Sequence, residues 1–355
     1  MRGDERQRID STPSKSALGR ITGLGILLAS LLAPAAHAED FYKGKTISLI
    51  ESGLTGAYDG YARALARCMP RYIPGNPAIV VQGKPGAAGV VAANYLYNIA
   101  PRDGTVIATV HGNVLVAPLL STGQVKFDLS KFGWIGNVTH DTYVGYVMST
   151  APIKTLTDAR STEVSMAGTS VGAGGIDMAI LGRDLFGFKF KIVSGYKTSG
   201  ETELALERGE VEGTFGHAWG SLKNQKPDWL RDGKVRIIVQ HGFTRNAELP
   251  DVPLLLDFAQ TELEKQILGI ELVRQDISKP YLAPPNVPPA NLAILRGAFN
   301  SCLADADFLA EVKQRHLEMD RPMEGEELAA LVARISQTPA AAAKKLQDLL
   351  SGFRG

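Results

Sequence analysis

Three stretches of this sequence combine glycine with small side chains in a way that suits binding of an anion by main-chain amides. Lys84-Pro85-Gly86-Ala87-Ala88-Gly89 follows the apolar run Ala78 to Val81 and precedes a helical pattern over Val90 to Ile99. Small residues let polar ligand atoms approach the backbone. The first N–H groups of the helix have no intrahelical acceptor, so a carboxylate is favoured there. Gly53-Leu54-Thr55-Gly56-Ala57-Tyr58-Asp59 repeats the arrangement after Thr46 to Ile50, with Asp59 as N-cap or first-turn acid. Gly168-Thr169-Ser170-Val171-Gly172-Ala173-Gly174-Gly175 repeats it after Glu163 to Met166. Any one of these is explained equally well as a tight connection in which glycine only supplies unusual φ angles.

Other chemistries compete for the same residues. Gly168 to Gly172 matches G-x-S-x-G, the nucleophile elbow of a hydrolase, and it lies between strand and helix as that motif requires. Such an enzyme would use Ser170 with a later acid, Asp232 or Asp251, and a base, His241 or His316. Against it, the chain has no HGGG-type oxyanion loop, and the elbow is one of three similar turns. None of the turns spells G-x-G-x-x-G with a ribose-binding acid about 20 residues on, which argues against a dinucleotide cofactor. Neither cysteine stands in a metal-ligand spacing, so no metal and no cofactor is expected. His111 and Asn113 follow the strand pattern Val106 to Val110 and lie at the edge carrying the glycine turns if the strands are parallel; a surface-loop histidine is the other reading of His111. His217 and Trp219 read either as a lid over a ligand or as core and hinge packing.

The elements that must position these residues alternate between strand and helix. Strands over 46–50, 78–81, 106–110, 134–138, 143–148, 163–166, 191–194 and 235–240 are interleaved with helical patterns, and helices run from Ala290 to the end. This is an α/β chain with two sheets, each offering a binding edge to a shared cleft. At 355 residues, with 45% hydrophobic and 21% charged content, it is long enough for two lobes. A basic segment ending at Arg20, the apolar run Ile21 to Ala33 and the small residues Ala36 and Ala38 read as an export signal over 1–38, with the mature chain starting at Glu39. The run is shorter than the roughly 20 residues that span a bilayer. Without those residues the chain has 33 basic and 34 acidic side chains, a balance that does not suit nucleic acid. Export permits a disulfide between Cys68 and Cys302, although two buried thiols fit the sequence as well.

Read in order, the chain resembles the substrate-binding proteins of tripartite tricarboxylate transporters, the Bug or TctC family. The resemblance rests on Phe41-Tyr42-Lys43-Gly44-Lys45-Thr46-Ile47, Asp59 with Ala62-Arg63, Ile73-Pro74-Gly75-Asn76-Pro77, Val80-Val81-Gln82 and Pro85-Gly86-Ala87. It continues through Ala92-Ala93-Asn94-Tyr95-Leu96-Tyr97, Pro101-Arg102-Asp103-Gly104-Thr105, Tyr196-Lys197 and Ala283-Pro284-Pro285. It implies a two-lobed periplasmic binding protein of type II-like fold with a ligand cleft between lobes. The lobes are expected at 39–133 and 134–242, with 243–355 returning to the first and adding the C-terminal helices. The family implies a small carboxylate ligand, permease subunits or a sensor as partners, and a monomer in the periplasm. Carried onto this chain, lobe one supplies Leu54, Thr55, Gly56, Tyr58, Asp59, Pro85, Gly86, Ala87, Ala88, Gly89 and His111. Lobe two supplies Thr169, Ser170, Gly172, Ala173, Gly174, Tyr196 and His217. The chain departs from the family pattern where Leu54 and Tyr58 add bulk, where Gly83 replaces an Asn, where Ala88 replaces a Gly, and where Glu212 follows Val211 in place of Asp.

Overall fold

The computed structural model describes residues 41–52, 56–120 and 124–353. The expected export signal, Leu54 and Thr55 lie outside them. The chain runs β1 (Thr46–Glu51), α1 (Gly56–Cys68), β2 (Ala78–Gly83), α2 (Val90–Asn98), β3 (Val106–Thr109), α3 (Ala117–Leu120) and β4 (Gly133–Asn137). It continues through β5 (Tyr143–Met148), β6 (Val164–Ala167), α4 (Gly174–Asp184), β7 (Phe190–Val193), α5 (Ser199–Glu207), β8 (Gly213–Ala218), α6 (Trp219–Gln225), α7 (Pro227–Arg231) and β9 (Val235–His241). Last come α8 (Glu262–Asp276), β10 (Pro280–Ala283), α9 (Pro289–Leu303), α10 (Ala306–Gln314), β11 (Met323–Glu324), α11 (Gly325–Ile335) and α12 (Ala340–Gly352).

The strands sort into two sheets, ordered β11-β4-β10-β3-β1-β2 and β7-β6-β8-β5-β9. β1 pairs in parallel with both β2 and β3, so the ends of three strands that carry glycine turns or His111 share one edge. In the second sheet β6 pairs in parallel with β7 and β8. Side-chain alternation explains why both sheets are covered on two faces. Ile47, Leu49, Ile107, Ile135 and Tyr281 enter the core under α1, α9 and α10, whereas Ile50, Val106, Ala108, Trp134 and Leu282 enter the one under α2 and α11. In the second sheet Val147, Met166, Phe190 and Phe215 face α4, α8 and α12, while Val144, Tyr146 and Ala167 face α5, α6 and α7. Cys68, at the end of α1, is joined to Cys302, near the end of α9, by a disulfide.

The chain passes between lobes at 138–142, in the long connection 242–279, and at 336–339. The expected change of lobe at 134 falls inside β4, whose partners are β10 and β11 of the first sheet and whose Trp134 and Ile135 fill that lobe's two cores. The expected return at 243 also differs, because α8 and α12 put Ile267, Leu268, Ile270, Leu272, Leu346 and Leu350 into the second lobe's core.

Candidate functional site

The glycine turns of the two sheets meet. Ala87 and Val90 from the first lobe and Val171 and Gly172 from the second line one cavity of about 610 Å³, which also takes in Asn113, Asp177, Arg274 and the last helix at Gln347 and Leu350. A second cavity of about 660 Å³ opens on the other side of the cleft, between Ala57 and Tyr61 of α1, His140 and Asp141 of the first crossing, Trp219 and Lys223 of α6, and the segment 316–321. This side carries a bond between lobes: Lys223 lies 3.1 Å from Glu318 and 2.8 Å from Glu248. A Cβ at Gly220 would displace the Glu318 carboxylate, which lies against the first turn of α6.

Tyr58 and His111 are in the lining of neither cavity. Their rings stack with centroids 4.1 Å apart, and the Tyr58 hydroxyl donates to the Ser278 carbonyl at 2.6 Å. The Lys279 ammonium sits 4.9 Å from the Tyr58 ring centre and 2.8 Å from the Asp141 carboxylate. Burial, and behind it the Asp141 charge, pushes the Tyr58 hydroxyl well above its ordinary range. Burial, and behind it Lys279, pushes the His111 imidazole down, so at neutral pH it is an uncharged ring able to donate or accept one hydrogen bond.

The wall from the second lobe is organised by a buried guanidinium. Helix α8 begins with a capping box in which Thr261 Oγ1 accepts from the Glu264 amide and the Glu264 carboxylate accepts from the Thr261 amide, an arrangement worth about 0.5–2 kcal/mol. Its last turn then delivers Arg274, whose side chain is only 8% exposed. Arg274 donates to Asp177 at 3.0 Å and to the Gly172 carbonyl at 3.3 Å, lies 3.4 Å from Asn113 Oδ1, and pairs with Glu271. The other oxygen of Asp177 accepts from the Gly172 amide at 2.8 Å. Burial raises the Asp177 carboxyl above its ordinary range, while Arg274 and the Gly172 amide oppose this. Gly112 packs under the end of α8, where a Cβ would lie 2.6 Å from the Ile277 carbonyl oxygen; only glycine fits there.

The remaining sequence candidates are distributed unevenly. Gly56 opens α1, and Asp59 is a first-turn acid bound to Arg63 at 2.8 Å. Pro85, Gly86 and Ala87 are exposed at the turn, and Gly86 has φ +136°, with a hypothetical Cβ 2.8 Å from Val91 Cγ2. Ala88 lies within the short 3₁₀ turn Ala87–Gly89, and Gly89 packs with φ +95° against His111 and Val114. Thr169, Ser170, Gly172 and Ala173 form the turn before α4, and Gly174 opens that helix near Tyr143 and Gln275. Tyr196 instead packs against the core under α5–α7, and His217 is buried on β8 with Nε2 3.7 Å from Glu203. Asn113, expected at this edge beside His111, lines the first cavity, whereas Arg274, Asp177, Lys279, Asp141 and Tyr143 escaped the sequence reading. Only Asp177 had a signal, as an acid in the first turn after Gly174.

A hydrolytic centre is not assembled around Ser170. His241 is fully buried on β9 against Phe215, and neither ring nitrogen has a hydrogen-bond partner. His316 follows α10 and lines the other cavity, while Asp232 pairs with Arg231 on the surface. Among the described residues no group of three or more His, Cys, Asp or Glu is placed to hold a metal ion.

Comparison with known proteins gives a consistent picture. The TctC profile, described as a tripartite tricarboxylate transporter family receptor, matches residues 62–345. A UPF0065 protein in the gbd 5′ region of Cupriavidus necator is 27% identical over 282 residues, covering 76% of this chain and 78% of that protein. A ligand-free TctC solute-binding protein from Polaromonas superposes with a TM-score of 0.68 at 19% identity, covering 88% of this chain and 100% of that one. MatC from Rhodopseudomonas palustris, solved with bound malate, superposes at 0.57 with 20% identity, covering 86% and 99%. At these identities the likeness to the solved structures concerns the fold, that of a two-lobed periplasmic binding protein.

Proposed function

Because the chain belongs to the TctC family of tripartite tricarboxylate transporter receptors, we propose that it is a periplasmic solute-binding protein whose cleft takes a small carboxylate and that it delivers this ligand to membrane permease subunits or to a sensor. The observation that carries the reading is the meeting of Ala87 and Gly172, one from each glycine turn, across a cavity of about 610 Å³. A volume of that size suits a small organic molecule. The bound malate of MatC supports the carboxylate class. In this reading the carboxylate lies against the first-lobe turn 86–89 at the head of α2, and the second lobe closes on the rest of the ligand.

The energetics require both lobes. A helix terminus contributes about 0.3–1 kcal/mol, up to about 2 when partly buried, whereas micromolar affinity needs about 8 kcal/mol. Direct and water-mediated hydrogen bonds and burial of the ligand's apolar body supply the remainder. A thermal-shift screen of mono-, di- and tricarboxylates, aromatic acids included, followed by calorimetry, tests the proposal. At least one carboxylate is expected to bind at micromolar concentration and raise the melting temperature. Labelling of Ser170 by a fluorophosphonate together with ester turnover would refute it.

A further inference from the structure

Resting on that reading, we propose that the cleft selects monocarboxylates with an apolar body and discriminates against dicarboxylates. The second-lobe glycine turn, which in a symmetrical clamp would take a second carboxylate, already holds one of its own. Asp177 is fully buried and receives both the Gly172 amide, at 2.8 Å, and the Arg274 guanidinium, at 3.0 Å. Arg274 is the one cation on the described wall of this cavity. Its two Nη atoms donate to Asp177, the Gly172 carbonyl and Asn113, and its charge is paired with Glu271 as well as Asp177. Two buried carboxylates thus share one guanidinium, and no positive charge is left over for a ligand.

The rest of the wall offers a second anion nothing better. Val90, Val116, Leu120, Val171 and Leu350 are apolar, Asn113, Gln347 and Ser351 are uncharged, and the further charged side chain is an acid, Asp348, already paired with Lys344. A ligand carboxylate placed there would lose hydration without gaining a cation and would stand near the buried Asp177 carboxylate. An alkyl or aryl group loses nothing by the same move and gains contact with the apolar walls. The first-lobe turn contributes only Ala87 and Val90 to the cavity and brings no acid to oppose a single carboxylate.

Calorimetry on the mature wild-type protein, with straight-chain monocarboxylates of three to eight carbons and the α,ω-dicarboxylates of equal length, tests this. The best monocarboxylate is expected to bind at least tenfold more tightly than its dicarboxylate counterpart. Equal or tighter binding of the dicarboxylate overturns the selectivity while leaving the carboxylate reading intact. Failure of both series, and of every acid in the wider screen, overturns both together. Asp177→Asn keeps an oxygen for the Gly172 amide, removes the charge and frees Arg274, so the preference should shrink at least tenfold. An unchanged preference in a folded Asp177→Asn protein overturns the assignment to Asp177, and the wild-type comparison decides the selectivity even if that variant does not fold.

Discussion

His241 shows how a single buried residue contributes to the acid sensitivity of the second lobe. Burial holds its imidazole down to about 3, and burial likewise holds that of His217 down to about 4. An unfolded histidine takes up its proton near pH 6.5. Stability that is complete above about pH 6.5 is therefore lost as pH falls toward 4, at up to about 1.4 kcal/mol per pH unit for each group. His241→Leu removes one of the two, and its ring nitrogens leave no partner unsatisfied. We expect the melting temperature of His241→Leu to fall less than that of the wild type between pH 7 and pH 4.5 by calorimetry. A parallel decline would show that the acid sensitivity lies elsewhere. At this scale the turns that carry Gly86 and His111 were legible in sequence, because they stand where a strand ends and strand ends are marked by local pattern. Arg274 was not legible, since its role depends on α8 crossing beneath Gly112 and beside Gly172, and nothing near position 274 encodes that approach.

Among the elements, α1 and α9 share the core that contains Leu65, Met69, Leu295 and Phe299, and the Cys68–Cys302 bond closes a separation of 234 residues at its margin. Cross-linking so long a loop restricts the unfolded chain and is worth about 2–4 kcal/mol. Denaturant unfolding of the Cys68→Ala, Cys302→Ala double variant is expected to show a loss of that size, with added reductant producing the same loss in the wild type. An unchanged midpoint in both experiments would contradict it. The sequence left paired and free thiols equally open because the pairing follows from the late return of α9 beneath α1. The same limit explains the misplaced lobe boundary. Trp134 and Ile135 announce a strand buried on both faces, but a strand of that kind carries no mark of the sheet it joins. The parallel strands with glycine turns were recovered because each turn sits next to its own strand and helix.

For the whole molecule, the three passages between lobes mean that neither core is built from one continuous stretch. The first lobe needs β10, α9, α10 and α11, and the second needs α8 and α12. Helix α12 seats Leu346, fully buried, and Leu350, 9% exposed, in the second lobe's core. Burying two leucines contributes about 1.5–3 kcal/mol each. A chain ending at Gln337 is therefore expected to lose about 3–6 kcal/mol in chemical denaturation and to bind a hydrophobic dye; wild-type stability in that truncation would contradict the assignment of α12 to this core. The late position of α12 also bears on biosynthesis. Translation delivers a chain at about 5–20 residues per second, and after α11 has been made the second lobe still awaits α12. The second lobe therefore completes its core only after the first has every segment it needs, although most of its own strands are made earlier than the first lobe's last helices.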